Sequence, residues 1–533
     1  MPTNRLPTPG QDSGNWGTML NGFLTQLQDN NNGGGINKFD TFSLRPTTLG
    51  QDDKGKTFLY TQTGNFHQWT GTEWKVLNES VINVKDYGAV GDGVSDDTAA
   101  IQGCLDRASD NDSIQFDSSN YKINTRLNIN SKSNLFLKGM GTLVLNSLDY
   151  IIWIEDSQNI TIDGLTFTNP NNFTYKKDIQ DAVIENSGGI SFRNSTTITI
   201  QNCKMDNFYW SIISNTWTDD FTRDGDKSQQ AIIKNNTITN VIGASYEGGG
   251  DGINITIPYS VIQNNNVSLK QGTEGRGGIV LDGNSHDSLV SNNYISGLFR
   301  RSIHVESAGG NSENTVIENN HCYGSGSTTL TNDSFGAITV TANKVVIRNN
   351  FISPKNSAIM CRDANELLID GNTIIAENDN LAHGILITGK ADKDGIVIGN
   401  NNITNNIFKS VSGKKYQYPI YISDSKNTNI NTNKVINVCS GVIIYIINSN
   451  NFCISNNQLD TSVLDAITVL NSTYGIISSN IIKNSGGVAI GTKGSNFIIS
   501  LNHIYWETGT GHSPFYFGGN DNTMLQVNNI IGS

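Results

Sequence analysis

GGIVLDGNSHDSLVSNNYISGLFRRSIHVESAGGNSENTVIENNHCYG, residues 277–324, passes twice through one pattern. Gly278-Ile279-Val280-Leu281 returns as Ser302-Ile303-His304-Val305, and Asn293-Tyr294-Ile295 returns as Asn320-His321-Cys322. The Asn pattern extends in both directions. It occurs upstream at Asn236 and Asn265, and downstream at Asn350, Asn372, Asn401, Asn433, Asn457, Asn480, Asn502 and Asn528, in steps of 22 to 32 residues. A unit of that length with three short strands is one coil of a parallel β-helix, each coil stacking on the last. Leucine-rich repeats have a similar period, but their Leu signature is missing here, and a propeller blade needs about 40 residues. The fold expected is all-β, a solenoid over about residues 115–533 with about 12 coils, near 58 Å tall at roughly 4.8 Å per coil.

Two physical reasons favour the repeated Asn. It tolerates left-handed backbone better than other non-Gly residues, and stacked Asn side chains hydrogen-bond along an axis. The other repeating segment is a strand: Gly252-Ile253-Asn254-Ile255, the two quoted above, Ala337-Ile338-Thr339-Val340, Ala358-Ile359-Met360-Cys361 and Gly384-Ile385-Leu386-Ile387. Side chains alternate along a strand. Ile253, Ile279, Ile303, Ile338, Ile359 and Ile385 are therefore expected in one inward column, with the residues between them pointing out.

Composition agrees with strands and turns. The chain has 533 residues, of which only 16% are charged and 36% hydrophobic, with 54 glycines. Disordered chains are charge-rich, so this one folds. Its 36 Lys+Arg against 48 Asp+Glu give a net charge of −12, which excludes a general nucleic-acid binder with its basic stripe. The longest apolar run, Val442–Ile447, is far short of the roughly 20 residues that span a bilayer, so no membrane insertion is expected. The first residues, MPTNRLPTPGQDSGNWG, lack the apolar stretch of a signal peptide. Cys104, Cys203, Cys322, Cys361, Cys439 and Cys453 show no CxxC spacing and sit where the pattern wants apolar residues. They read as reduced core residues, with no disulfide, metal site or cofactor implied.

Upstream of the repeats the organisation changes. Residues 1–80 end their first part in DNNNGGG, which reads as a linker, followed by alternating residues around Thr70-Gly71-Thr72 that suggest a small hairpin unit. Residues 81–145 hold VINVKDYGAVGDGVSDDTAAIQGCLDRA, in which Asp96 or Asp97 caps a helix over about 97–109. Ala100, Ile101, Cys104, Leu105 and Ala108 make its apolar face. Such a helix covers the open end of a solenoid, which otherwise exposes core and sheet edges. The solenoid proper follows over residues 146–533.

Val84-Lys85-Asp86-Tyr87-Gly88-Ala89-Val90-Gly91-Asp92-Gly93, with Asp96-Asp97-Thr98 and Ala100-Ile101-Gln102 behind it, resembles the opening motif of the pectate-lyase superfamily of right-handed β-helices. That superfamily includes polygalacturonases, plant-type lyases and phage tailspikes, and within it the DGVSDD cluster is structural. LPTPGQDSGNWGTMLNGFLTQ and RPTT…GKTFLYTQTGNFHQWTGTEW resemble virion-attachment segments of phage tail proteins. The resemblance to tailspikes implies a right-handed single-stranded β-helix with an N-terminal attachment region. It implies a homotrimer that meets a tail or baseplate protein through its N-terminal region. It also implies an enzyme that binds and cleaves a bacterial capsular polysaccharide or O-antigen from the virion.

Glycosidic cleavage uses two carboxylates. Equivalent outward positions on neighbouring coils lie about 4.8 Å apart. Three residues after each inward Ile stand Thr256, Asp282, Glu306, Thr341, Arg362 and Thr388. Asp282 and Glu306 thus fall side by side and are the expected catalytic pair. Either can be the acid, with Glu306 favoured for its longer arm. His304 points out of the same strand as Glu306, and Arg276, Arg300, Arg301 and Arg362 are the expected clamps for a substrate carboxylate. Asp251 is a further candidate. GGGDGINI resembles the Asn-Thr-Asp-Gly-Ile segment of polygalacturonases, but Arg276-Gly277-Gly278 and Arg301-Ser302-Ile303 stand where that family carries its second Asp and its Gly-His-Gly. Asp251 is left to act with Asp282. Tyr246, Tyr209, Trp210, Trp217 and Phe299 are candidates for stacking on sugars, and the insertion WTDDFTRDGDK for walling a cleft. Two other classes stay open: a lyase, in which Arg300, Arg301 or His304 helps remove a proton beside a uronate carboxylate, and a non-catalytic adhesin.

Overall fold

The computed structural model describes residues 38–77, 81–170, 188–214, 228–242, 250–273, 275–307, 311–325, 335–377, 381–389, 398–411, 413–506, 512–518, 524–527 and 529–532. Short parallel strands dominate it, and Thr98–Arg107 forms an α-helix. Each coil contributes strands to three stacked faces. In one coil these are Asp251–Ile255 on the first face, Val261–Gln263 on the second and Asn266–Leu269 on the third. Each pairs in parallel with its counterpart one coil on. This is the expected parallel β-helix, with more coils among the described residues than the dozen or so expected, because coils without the Asn signature also stack on it.

The first face carries the isoleucine column. Ile253 aligns with Ile279, Ile279 with Ile303, Ile303 with Ile338, Ile338 with Ile359 and Ile359 with Ile385. The column continues upstream through Ile212, Ile190 and Ile152 to Leu127. Downstream it runs through Ile420, Ile444, Ile467 and Ile490 to Phe515. Every Ile in it is 0% exposed. Each such side chain contributes about 1.5–3 kcal/mol by leaving water. Simple alternation fails at one point. The residue before each Ile also faces inward, since a Cβ on Gly252, Gly278 or Gly384 would strike Val267, Ile295 or Phe408 of the third face. That crowding explains why the position is Gly, Ser or Ala in the six repeats from Ile253 to Ile385.

The corner between the second and third faces holds the asparagines. Nδ2 of Asn265, Asn293 and Asn320 donates to Oδ1 of Asn293, Asn320 and Asn350 at 3.0 Å each. The same amide also donates to a backbone carbonyl of the preceding coil, as Asn293 does to Ile262 at 2.9 Å. The left-handed residue is the one before: Asn264, Asn292, Asn319 and Asn349 have φ of 56°, 56°, 56° and 55°. The two physical reasons for Asn thus belong to two consecutive residues. Two expected members are replaced. Asn406, not Asn401, links Asn372 to Asn433, because Asn401 stands one corner earlier, just before the strand Asn402–Thr404, and its Oδ1 accepts from Leu367 N. At the far end Asn529 receives the bond from Asn502, while Asn528 lies outside the described residues.

The helix covers the first coil with Ile101, Cys104 and Leu105 buried beneath it. Its two candidate caps divide the work. Asp96 Oδ1 accepts from Thr98 N at 3.0 Å, while Asp97 accepts from Val90 N at 2.5 Å and Gly91 N at 3.1 Å. Asp92 accepts from Val94 N and Ser95 N. The acidic cluster is therefore occupied by the chain's own N–H groups. Ahead of it, Lys38–Phe39, Thr57–Tyr60, Asn65–Trp69 and Trp74–Leu77 form a separate four-stranded sheet, larger than the expected hairpin. Asp86 joins this sheet to the solenoid by accepting from Thr63 Oγ1, Asn65 Nδ2 and His67 Nε2 at 2.6, 2.6 and 3.0 Å. All six cysteines are free thiols, and five are buried.

Candidate functional site

The first face also has an outward side. On the coil of Ile253 it presents Asp251, Asn254 and Thr256; on the next, Gly277, Val280 and Asp282; on the third, Arg301, His304 and Glu306. Register sets Asp251 beside Gly277 and Gly277 beside Arg301, with Val280 beside His304. Leu281 aligns with Val305, and Glu306 N donates to Leu281 O at 2.8 Å, which brings Asp282 and Glu306 onto adjacent rungs. Asp282 is 7% exposed and its Oδ1 accepts from Gly283 N at 2.6 Å. The Glu306 side chain is 31% exposed and is the more accessible of the two.

Asp251 is bound elsewhere. Arg276 Nη2 lies 2.5 Å from its Oδ2, and Nε lies 3.2 Å from both oxygens. Asn254 Nδ2 donates to the same carboxylate at 2.9 Å, and Asp251 is 0% exposed. Its register neighbour on the next coil is Gly277, and Arg276 links it electrostatically to Asp282. Burial alone would lower the Arg276 pKa, but Asp251 foremost, then Asp282 and Glu306, hold it above the ordinary value. The Arg276 guanidinium also lies 5.8 Å from the Trp210 ring.

His304 is buried, with Nδ1 3.5 Å from Glu306 Oε2. Burial, then the charges of Arg301 and Arg276, keep its pKa well below 6.5, so at neutral pH the imidazole beside Glu306 is uncharged. Burial pushes Arg301 down to about 10 against the pull of Glu306, and Arg276 and Arg300 add to the fall. Its guanidinium stands 4.2 Å from the Phe335 ring, and that of the buried Arg300 6.0 Å from the same ring.

The structure therefore gathers Asp251, Arg276, Asp282, Arg300, Arg301, His304 and Glu306. Arg362 follows Glu306 in the outward column after the coil of Thr341. Tyr246, Trp217 and the insertion at 219–226 lie outside the described residues, as does the segment at 6–26. Tyr209 and Phe299 are fully buried, which removes them as sugar platforms. Sequence reasoning missed Asn254 as the second ligand of Asp251, although its outward place between two inward Ile was legible. Among the described residues, no group of three or more His, Cys, Asp or Glu is placed to hold a metal ion.

Residues 81–298 match the family described as rhamnogalacturonase A/epimerase, pectate lyase-like, and residues 278–445 match the right handed beta helix region. The chain is a right-handed parallel β-helix, similar over residues 81–298 to the pectate-lyase-like family. No curated protein matches this β-helix in sequence. Two solved structures similar to it are the tailspike of E. coli bacteriophage HK620 with pentasaccharide and the catalytic unit of a GH87 α-1,3-glucanase from Streptomyces thermodiastaticus. The tailspike is 12% identical, with 87% of this chain and 81% of that chain covered and a TM-score of 0.43. The glucanase is 12% identical, with 85% of this chain and 70% of that chain covered and a TM-score of 0.42.

Proposed function

We propose that this β-helix is a phage tailspike depolymerase that binds a bacterial capsule or O-antigen and cleaves it by glycosidic hydrolysis. The observation that carries the reading is the pair Asp282 and Glu306 on adjacent rungs of one outward face, beside Arg276 and Arg301. A matched family named for polysaccharide-processing enzymes supports a glycan substrate. Glu306, the more exposed, protonates the glycosidic oxygen, and Asp282 serves as base or nucleophile. Their carboxyls span about 5–8 Å; the short end suits a retaining and the long end an inverting course. The nearby guanidiniums favour an acidic glycan and clamp its carboxylates.

The assembly proposed is a homotrimer, attached to a tail or baseplate protein through residues 1–80. Its support is an aliphatic ladder on the outside of the second face: Ile232, Val261, Leu289, Val316, Val346 and Leu368 stack in register, each part-exposed. Such a continuous apolar stripe marks an interaction surface.

Purified capsular and O-antigen polysaccharides from several strains, incubated with the protein and read by mass spectrometry, test the reading. Wild type is expected to release oligosaccharides as a particle of three chains by light scattering. Glu306→Gln is expected to slow release by about 10²-fold or more with melting temperature unchanged. Near wild-type turnover in that variant defeats the site assignment, and a monomer defeats the assembly. A lyase is the second reading, because burial and neighbouring arginines depress Arg301 toward the range of a base. Ultraviolet absorbance from an unsaturated product distinguishes it. Binding without fragments leaves an adhesin.

A further inference from the structure

The outward column of His304 continues along the first face, in register, through Thr339, Met360 and Leu386 to Tyr421 and Tyr445. Beside it, His383 aligns with Tyr418. The four rings at that end form one cluster. Tyr421 and Tyr445 stack with centroids 5.2 Å apart and planes 15° from parallel. His383 and Tyr418 stack at 5.8 Å and 17°. The two stacks meet nearly edge to face, with Tyr421 at 74° to His383 and 69° to Tyr418. All four side chains are half-buried, each leaving part of its surface to solvent.

We propose that His383, Tyr418, Tyr421 and Tyr445 form a carbohydrate-stacking platform, a second contact for the glycan chain distant from the carboxylate pair. The inference rests on the glycan reading of that pair. Three features single out a sugar chain. Aromatic faces carry negative π-density and receive the C–H faces of pyranose rings, while tyrosine adds a hydroxyl for the sugar's own hydroxyls. The patch is uncharged at neutral pH: burial holds His383 down at about 4, and burial together with the neighbouring rings raises Tyr421 and Tyr445 above 10. The platform also lies on the same face as Glu306, four coils beyond His304 at Tyr421, or about 19 Å. Only a chain of several sugar rings touches both places at once, so the platform adds affinity for polymer and none for short fragments.

The test uses the full-length protein and an array of purified capsular and O-antigen polysaccharides. Wild type is expected to bind at least one of them. Tyr421→Ala/Tyr445→Ala should weaken that binding by about tenfold or more, while Tyr421→Phe/Tyr445→Phe keeps it within about threefold, since the rings remain. On the shortest fragments that wild type cleaves, KM and kcat should be unchanged in both variants. Unaltered polymer affinity in the alanine variant overturns the platform, as does wild type that binds no polysaccharide on the array. A change in the number of chains per particle also overturns it, by making the rings a subunit contact. Wild type that binds but never cleaves defeats the hydrolase reading alone, and the alanine and phenylalanine variants still decide the platform.

Discussion

The first face carries two unlike surfaces above one continuous column of inward isoleucines. Around Ile253, Ile279 and Ile303 the outward residues are ionic: Asp251, Arg276, Asp282, Arg301 and Glu306. Around Ile385, Ile420 and Ile444 they are rings: His383, Tyr418, Tyr421 and Tyr445. The core beneath does not change, because every inward Ile at both heights is fully buried. Strand alternation separates the two sides, so the outside of a coil varies without altering what stacks inside. The ionic surface, however, buries charge that needs compensation, whereas the aromatic one needs none.

That contrast breaks first at Asp251. Asp251→Asn leaves Arg276 in a mostly buried site without its carboxylate, and losing one partner of a buried pair costs about 3–5 kcal/mol. Chemical denaturation should show a drop of that order. A loss below about 1 kcal/mol would mean that Asp282 and Glu306, whose fields already reach Arg276, replace Asp251.

The corner sharpens the comparison at smaller scale, since buried ladder and exposed turn residue are both Asn. Asn320→Ala removes a buried amide that bridges Asn293, Asn350 and Val290 O, and should cost about 1–3 kcal/mol. Asn319→Gly, at an exposed left-handed position, should change the unfolding midpoint little, within about 0.5 kcal/mol. Equal effects would refute the division of roles between consecutive asparagines.

The smallest effect concerns pH at the aromatic end. His383 takes up a proton near 6.5 when unfolded but only near 4 when folded. The unfolded chain therefore binds more protons between those values, and His383 withdraws stability as pH falls through that window. His383→Phe keeps a ring but not the titration, so its melting temperature should fall less than that of wild type between about pH 6.5 and 4. Parallel curves would mean that the folded imidazole titrates normally.

Much of the fold was legible because its rules are local. The Gly-Ile-x-Ile segments placed Ile253 through Ile385 in one column, and periodicity alone supplied the register. The same counting put Asp282 and Glu306 on adjacent rungs. It failed where two solutions share a residue type: Asn401 fits the pattern as well as Asn406 does, and only the corner geometry separates them. At Asp251 alternation breaks between Gly252 and Ile253, which turns the carboxylate outward onto Arg276, a pairing that the spacing alone does not show. Tyr421 and Tyr445 were legible as outward residues of Ile-Tyr-Ile segments, but nothing local shows that their rings meet His383 and Tyr418.

The sequence by itself determined the coil, its period, its inward column and the helix over its open end, because a strand's alternation and a corner's need for Asn, Gly or Ser act within a few residues. Tertiary structure alone decided which charges are spent on each other. Arg276 lies next in sequence to Gly277 yet binds Asp251 of the coil before, and His304 is uncharged beside Glu306 because burial and two arginines make it so. Pairing between coils is a through-space matter of side-chain reach and desolvation, and neither is written in the spacing of residues along the chain.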